Sequence, residues 1–430
     1  MRIVSVIQIG DIHFPESKNA VVGDVKDQGL TGHLCEMIAV KSLRQVFRKL
    51  ETVRRKLGVC GLLICGDLTT GGKLPEYGEC VDYLVENMGL ADPQFVSPEH
   101  WHVVPGNHDV ARKTLKPNAS PFPDLFRPLE KEWARQFEVG PLTVERARHS
   151  CLSHDGCSID LFSLNSCVGC GEWRRIPQKI QAAITETISS QFQGAEDSFA
   201  AFETLAEQLD APAFHQDHIT ALCEAIDLLD RKTVPVVLAH HGLLPQAMPR
   251  LEIYTEMLNS GMLRSRLGSL GRPVIYCHGH IHADPIEVVS NPDKHASKVV
   301  VVAAPEVVKG FNLLNVFFGK NEHPIGLEII KYRLNNDASV EADVPIRISL
   351  CLQPGTINAA DSELIRFVGA CKAEFEPVKQ VRDRLSVAGP APYFATLRDR
   401  LLEAEWRSLV ELENREADDP KELRVRKVSP

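Results

Sequence analysis

Nine residues in five short segments have the types and spacing to act together: Asp11 and His13, Asp67, Asn107 with His108 and Asp109, His240, and His280 with His282. Carboxylates, an amide and imidazoles are hard-to-borderline donors, suited to first-row divalent cations rather than to Ca²⁺ or an iron–sulfur centre. A carboxylate can bridge two such ions, while imidazoles and an amide oxygen complete each shell. Two ions ~3.5–4 Å apart would make a bridging water lose its proton near neutral pH. The second ion would stabilise charge on a phosphoryl group as it is attacked in line.

Each segment is delivered in the same way. Ile3 to Ile9 runs into Gly10-Asp11-Ile12-His13, and Leu62 to Cys65 runs into Gly66-Asp67. The run from Trp101 breaks into Pro105-Gly-Asn-His-Asp109. Val234 to Ala239 ends in His240-His241, and Pro273 to Cys277 ends in His278-Gly-His-Ile-His282. Short apolar runs that stop at Gly or Pro read as buried strands followed by tight turns. The carboxyl ends of strands are where open α/β sheets hold their ligands. Helical patterns over Val40 to Leu57 and Glu76 to Met88 separate the first three runs. This alternation predicts βαβ units and a parallel sheet buried on both faces.

Asp-x-His, Gly-Asp, Gly-Asn-His-Asp, a strand-end His and Gly-His-x-His occur in that order, and over about Met1 to Leu334 they resemble the five motifs of the calcineurin-like metallophosphoesterases. The stretch Gly66-Asp-Leu-Thr-Thr-Gly-Gly-Lys-Leu-Pro-Glu-Tyr77 further resembles the branch containing class III cyclic-nucleotide phosphodiesterases. Repair nucleases of the superfamily usually carry a second Asp soon after Gly-Asp, where this chain has Thr70. The resemblance implies two divalent ions, with Mn²⁺, Fe and Zn²⁺ all suited to the donors. It implies Asp11, His13 and His282 as ligands of one ion, Asn107, His240 and His280 as ligands of the other, and Asp67 between them. His108 would be the acid or charge stabiliser, with Asp109 orienting its ring. His240 emerges directly from its strand and is preferred to His241 as a ligand, leaving His241 to line the pocket. His278 has the opposite strand phase from His280 and is not expected to bind metal.

The fold implied by the resemblance is a four-layer α-β-β-α sandwich of two mixed sheets flanked by helices, within residues 1–352. Val110 to Asp124 reads as a loop over the site, with Arg112 and Lys113 as candidates to touch an anionic substrate. Helical patterns at Leu125 to Phe137, Pro177 to Phe192, Ser198 to Leu209 and His218 to Leu229 suggest a helical cap inserted at about residues 110–230. After His282 only strand patterns follow, consistent with a second, mostly antiparallel sheet packed on the first. Residues 353–430 read as a helical C-terminal extension. Its stripe of Phe394, Leu397, Leu401, Leu402, Trp406 and Leu409 must dock on the main domain or pair with another subunit or protein.

Composition bounds the rest. A chain of 430 residues with 44% hydrophobic content can bury a large core. No apolar run approaches the ~20 residues of a membrane span. The first residues enter a strand directly, without a signal-peptide layout, so the cytoplasm is the expected compartment. Twelve cysteines are expected to be reduced and mostly structural, several lying inside apolar segments. Cys167-Val-Gly-Cys170 is the one pair with redox or zinc spacing. The formal charge of −9 argues against duplex nucleic acid as partner. The basic stretch from Lys41 to Lys56 reads as the solvated face of a core-packed helix. The expected function is hydrolysis of a phosphodiester, a cyclic or related nucleotide, by a metal-bridging hydroxide. A nuclease of the same superfamily, and a regulatory protein acting through its cap and tail, are the alternatives.

Overall fold

The computed structural model describes residues 1–22, 40–88, 100–111, 121–136, 147–170, 178–191, 212–244, 257–283, 285–291, 297–320, 322–351, 361–415, 419 and 421–428. Arg112, Lys113 and the helical pattern at 198–209 lie outside them.

Three parallel strands start the first sheet: β1 (Arg2–Ile9), β2 (Cys60–Ile64) and β3 (Trp101–Val103). Four strands from beyond residue 300 complete it. These are β10 (Gly310–Phe318), which pairs antiparallel with β1, then β11 (Pro324–Leu334), β12 (Val340–Ala342) and β13 (Ile346–Ser349). The second sheet has the order β4-β5-β6-β7-β9-β8: Arg148–His154, Cys157–Ser163, Val234–Leu238, Pro273–His278, Lys298–Ala303 and Ile286–Ser290. Its four inner strands are parallel and its two edges antiparallel. The strands after His282 therefore do not make a sheet of their own, as the sequence suggested. β8 and β9 extend the second sheet and β10 to β13 extend the first. Period-2 patterning marks a strand without naming its partner.

The layers follow from which side of each strand is apolar. Along β1, Val4 and Val6 face the second sheet, packing with Leu161, Val236, Leu238, Ile275 and Val300. Ile7 and Ile9 face outward onto Leu43, Val46, Phe47 and Leu50. Those four residues recur at three- and four-residue spacing along α2 (Ser42–Lys56), following the short α1 (Glu16–Asn19). Arg44, Arg48, Arg55 and Lys56 are left in solvent, so this basic stretch is the polar face of a core helix. α3 (Leu74–Asn87) and α4 (Pro121–Gln136) cover the same sheet with Tyr77, Val81, Leu84, Leu129 and Trp133. After α5 (Gln178–Gln191), α6 (Gln216–Leu228) and α7 (Ser260–Leu267) cover the second sheet with Ile219, Leu222, Ile226 and Leu263. The result is the expected α-β-β-α sandwich.

The span read as a helical cap is less set apart than its helix pattern suggested. α4 and α6 are outer layers of the sandwich, and β4 and β5 are strands of the second sheet. No helix among the described residues is long and apolar enough to cross a membrane.

The C-terminal unit is also more than helical. α8 (Ser362–Ala370), α9 (Val378–Val387) and α10 (Phe394–Trp406) pack with a three-stranded sheet in the order β14-β16-β15 (Glu376–Pro377, Arg424–Lys427, Val410–Glu413). Leu397 and Leu401 lie in this unit's own core with Leu364, Val378, Val381 and Val425. Trp406 reaches the main domain instead. Its ring centroid is 5.4 Å from that of Phe317, beside Ile325 and Cys351. A Cβ on Gly326 would fall 2.3 Å from that ring, so only glycine allows β11 to lie under it. The Met1 ammonium pairs with Asp399 at 2.8 Å, and Lys320 with Glu363 at 2.6 Å. The apolar stripe is thus covered within the chain.

Candidate metal centre

The carboxyl ends of β1, β2, β3, β6 and β7 are lashed together by main-chain bonds. His13 N–H donates to the Asp67 carbonyl at 2.8 Å, Phe14 N–H to Leu68 at 3.0 Å, and Gly279 N–H to His240 at 3.0 Å. Asp11, His13, Asp67, His280 and His282 all sit in the left-handed region, with φ between 48° and 71°. They are five of the ten non-glycine residues with positive φ among the described residues. Such conformations cost roughly 1–3 kcal/mol each and persist where the surroundings fix them, which is characteristic of functional sites.

The nine sequence-selected residues fall into two adjoining groups and a brace. Donor atoms of Asp11, His13, Asp67 and His282 lie within 4.8 Å of one another. Within this group His13 Nε2 and His282 Nε2 are 3.0 Å apart, and His282 Nε2 is 3.9 Å from Asp11 Oδ1. In the second group, donor atoms of His240, His241 and His280 meet the same limit, and Asn107 Oδ1 is 3.0 Å from His240 Nε2. Asp67 Oδ2 lies between the groups, 3.8 Å from His13 Nε2 and 3.4 Å from His240 Nε2. Its other oxygen, Oδ1, accepts the His108 N–H at 2.9 Å.

Hydrogen bonding around these groups fits a cation. His240 Nδ1–H donates to the Cys65 carbonyl at 2.7 Å, which leaves Nε2 facing Asn107 Oδ1 and Asp67 Oδ2. In a neutral ring, three lone pairs would then point at one place; only a proton or a metal reconciles them. Asp11 Oδ1 accepts the His280 N–H at 2.8 Å, while Oδ2 is fully buried with no hydrogen-bond partner. A buried, unsatisfied carboxylate oxygen is costly unless a positive charge compensates it.

Without metal, protons fill that role. Burial raises the Asp11 carboxyl, His240 opposes this and the Asp67 charge reinforces it, leaving the group at about 8. Burial also disfavours a charged His240, but the contacts with Asp67 overcome it and hold the ring at about 9. Asp67 itself is kept well below the usual carboxylate range: burial would raise it, and His240, His108 and His13 outweigh that. His13 is pushed down to about 4, chiefly by burial. Burial likewise keeps His241 well below its ordinary value.

Asp109 does not orient His108, contrary to expectation. Its carboxylate accepts from Leu68 N–H at 3.0 Å, Thr69 N–H at 2.8 Å, Thr69 Oγ1 at 3.1 Å and Gly106 N–H at 2.8 Å. These bonds leave it tying the loop after β2 to the Asn-His turn. Burial, more than the neighbouring Asp67, raises it to about 6 despite those donors. Tyr77 completes the brace by donating to the Asp109 carbonyl at 3.0 Å. The ring of His108 is set by a main-chain atom: Nδ1–H donates to the Thr70 carbonyl at 2.8 Å. No side-chain pattern could have marked that partner. Gly106 is required by close approach, since a Cβ there would lie 2.0 Å from Asp67 Oδ1 and 2.3 Å from Asp67 N. His278 stays inside, donating from Nδ1 to the Gly279 carbonyl at 2.9 Å.

Residues 4–177 match the family model described as calcineurin-like phosphoesterase. That segment includes Asp11, His13, Asp67 and the Asn107–Asp109 turn; His240, His280 and His282 come from beyond it. No curated protein sequence matches the chain. Among solved structures it is similar to a dimetal phosphatase from Danio rerio, at 12% identity and TM-score 0.44, over 81% of this chain and 99% of that one. It is also similar to a 5′-nucleotidase precursor from Thermus thermophilus, at 16% identity and TM-score 0.39, over 79% of this chain and 56% of that one. An NAD nucleotidase from Haemophilus influenzae aligns at 12% identity and TM-score 0.40, over 80% of this chain and 54% of that one.

Proposed function

We propose that this chain, a metallophosphoesterase of the calcineurin-like superfamily, hydrolyses a nucleotide phosphodiester, a cyclic nucleotide being the leading candidate. Asp11, His13 and His282 would hold one divalent ion, Asn107, His240 and His280 the other, and Asp67 would be shared. The observation that carries this reading is Asp67 Oδ2, a single carboxylate oxygen 3.8 Å from His13 Nε2 and 3.4 Å from His240 Nε2. When bound, a pair of ions supplies a nucleophile at neutral pH and neutralises phosphoryl charge. Mn²⁺ or Fe suits this oxygen and nitrogen set, and Zn²⁺ is also compatible.

The protein's own contribution is position and proton control. With Nδ1–H committed to the Thr70 carbonyl, His108 leaves Nε2 for the leaving oxygen, and the ring would act there as an acid in its imidazolium form, with a proton on both nitrogens. Its ring stands edge-on to His13, with centroids 5.0 Å apart, which supports a role beside the metal ligands rather than as one of them. The Asp109, Thr69 and Tyr77 brace holds that turn against the loop carrying Asp67.

The preference for a diester rests on the resemblance of Gly66 to Tyr77 to the class III phosphodiesterase branch and on Thr70 at the position where repair nucleases usually have Asp. The test is turnover of purified, Mn²⁺-loaded protein on a monoester, an activated diester, cyclic nucleotides and single-stranded DNA. Faster hydrolysis of diester than monoester, with cyclic-nucleotide turnover, is expected. Cleavage of DNA alone would support the nuclease reading, and silence on every substrate with metal bound would support a regulatory scaffold.

A further inference from the structure

Two cysteines beside the centre are not among its proposed ligands. Cys167 and Cys170 follow β5 and close a turn in which Cys170 N–H donates to the Cys167 carbonyl at 3.1 Å. The Cys167 thiol donates to the carbonyl of Pro105, in the turn that carries Asn107, at 3.4 Å. Facing them is His241, the residue after His240. Its main-chain N–H donates to Ser166 Oγ at 3.1 Å, and its Nδ1 is 2.9 Å from that hydroxyl and 4.0 Å from Cys167 Sγ. Donor atoms of Cys167, Cys170 and His241 all lie within 4.8 Å of one another, and all three residues are buried.

We propose that Cys167, Cys170 and His241 form a third metal site, separate from the Asp and His centre, that takes a single thiophilic ion of the Zn²⁺ type. Two sulfurs and an imidazole nitrogen are softer than the donors of the phosphoesterase centre, so this site favours Zn²⁺ over the Mn²⁺ or Fe that suits the other. Tetrahedral Zn²⁺ with bonds of ~2.3 Å to sulfur and ~2.0–2.1 Å to nitrogen separates those donors by about 3.6 Å. The 4.0 Å between Cys167 Sγ and His241 Nδ1 needs only a small closure to meet that distance. Three protein donors leave a fourth position, next to the Ser166 hydroxyl.

The position gives the site a purpose. His241 lies beside His280, with ring centroids 4.5 Å apart, and follows His240 in sequence. An ion held by the two cysteines would clamp His241 to the segment after β5; as a ligand Cys167 loses its thiol proton and with it the bond to the Pro105 carbonyl. The inference does not depend on the phosphodiester reading.

X-ray absorption at the zinc edge of the reduced, zinc-loaded full chain tests it without any substitution. A sulfur shell at ~2.3 Å is expected beside the nitrogen and oxygen shell. A shell of nitrogen and oxygen alone overturns the proposal. Cys167→Ser and Cys170→Ser are each expected to lose the sulfur shell and one zinc equivalent while two equivalents remain. A sulfur shell that survives both substitutions would place the ion on other cysteines and equally overturn it.

Discussion

The main-chain oxygen of Thr70 lies 2.8 Å from Nδ1 of His108, so the orientation of this ring is set by a loop that leaves β2 rather than by the carboxylate next to it in sequence. His108→Ala is therefore expected to retain its metals and to slow turnover by roughly 10²–10⁴-fold, the usual range for a lost general acid. The loss should be smaller for a nitrophenolate leaving group than for an alkoxide. Equal losses on both would assign His108 to charge stabilisation, and loss of metal would make it a ligand.

Gly106 gives a structural test of the same turn. A methyl group there would sit 2.0 Å from Asp67 Oδ1, inside the carboxylate at the middle of the centre. Gly106→Ala is expected to displace Asp67, to reduce metal retention and to destabilise the fold by about 1–3 kcal/mol, the usual cost of overpacking. Denaturant unfolding with metal analysis checks it. Unchanged stability with full metal content would mean that the turn gives way without cost.

Metal uptake should release protons. In the metal-free centre Asp11 titrates at about 8 and His240 at about 9, so at pH 7 both carry a proton that a bound cation must displace. Affinity is then expected to rise with pH from 7 towards 9, where these protons are already leaving. Calorimetric titration with Mn²⁺ in buffers of different ionisation enthalpy reads the release directly. A binding enthalpy independent of buffer would show that neither group is protonated at neutral pH.

The C-terminal unit is anchored through Trp406, whose ring covers Gly326 and meets Phe317. Trp406→Ala is expected to cost about 3–5 kcal/mol, the range for removing a buried Trp or Phe ring. Metal content should not change, because every proposed ligand precedes residue 283. A variant with wild-type stability would show that Trp406 merely rests on β11, and a loss of metal would tie the tail to the centre.

Much of this architecture is legible in the residues because the same signal repeats. Each apolar run broken by Gly or Pro marks a strand end, and five such ends carry the candidate ligands. Their convergence depends on parallel strands, which the alternation of β1, α2, β2, α3 and β3 already implies. The sheet to which β8 to β13 belong was not legible, since Val, Ile and Phe at alternate positions suit either face of either sheet. Nor was the fate of α4 and α6, whose apolar stripes fit a cap as well as an outer layer. The role of Asp109 was misread for a related reason. Adjacency to His108 suggests contact, whereas the tight turn points its carboxylate at the amides of Gly106, Leu68 and Thr69.

Asp67 is the carboxylate that both ions would share. Electron paramagnetic resonance of the chain titrated with Mn²⁺ is expected to show a mononuclear spectrum at low occupancy that gives way to a spin-coupled pair as both sides of Asp67 fill. In Asp67→Asn the coupled spectrum should be absent and turnover lost with it. Two uncoupled Mn²⁺ signals in the wild-type protein, or a coupled pair with near-normal turnover in Asp67→Asn, would contradict a shared Asp67.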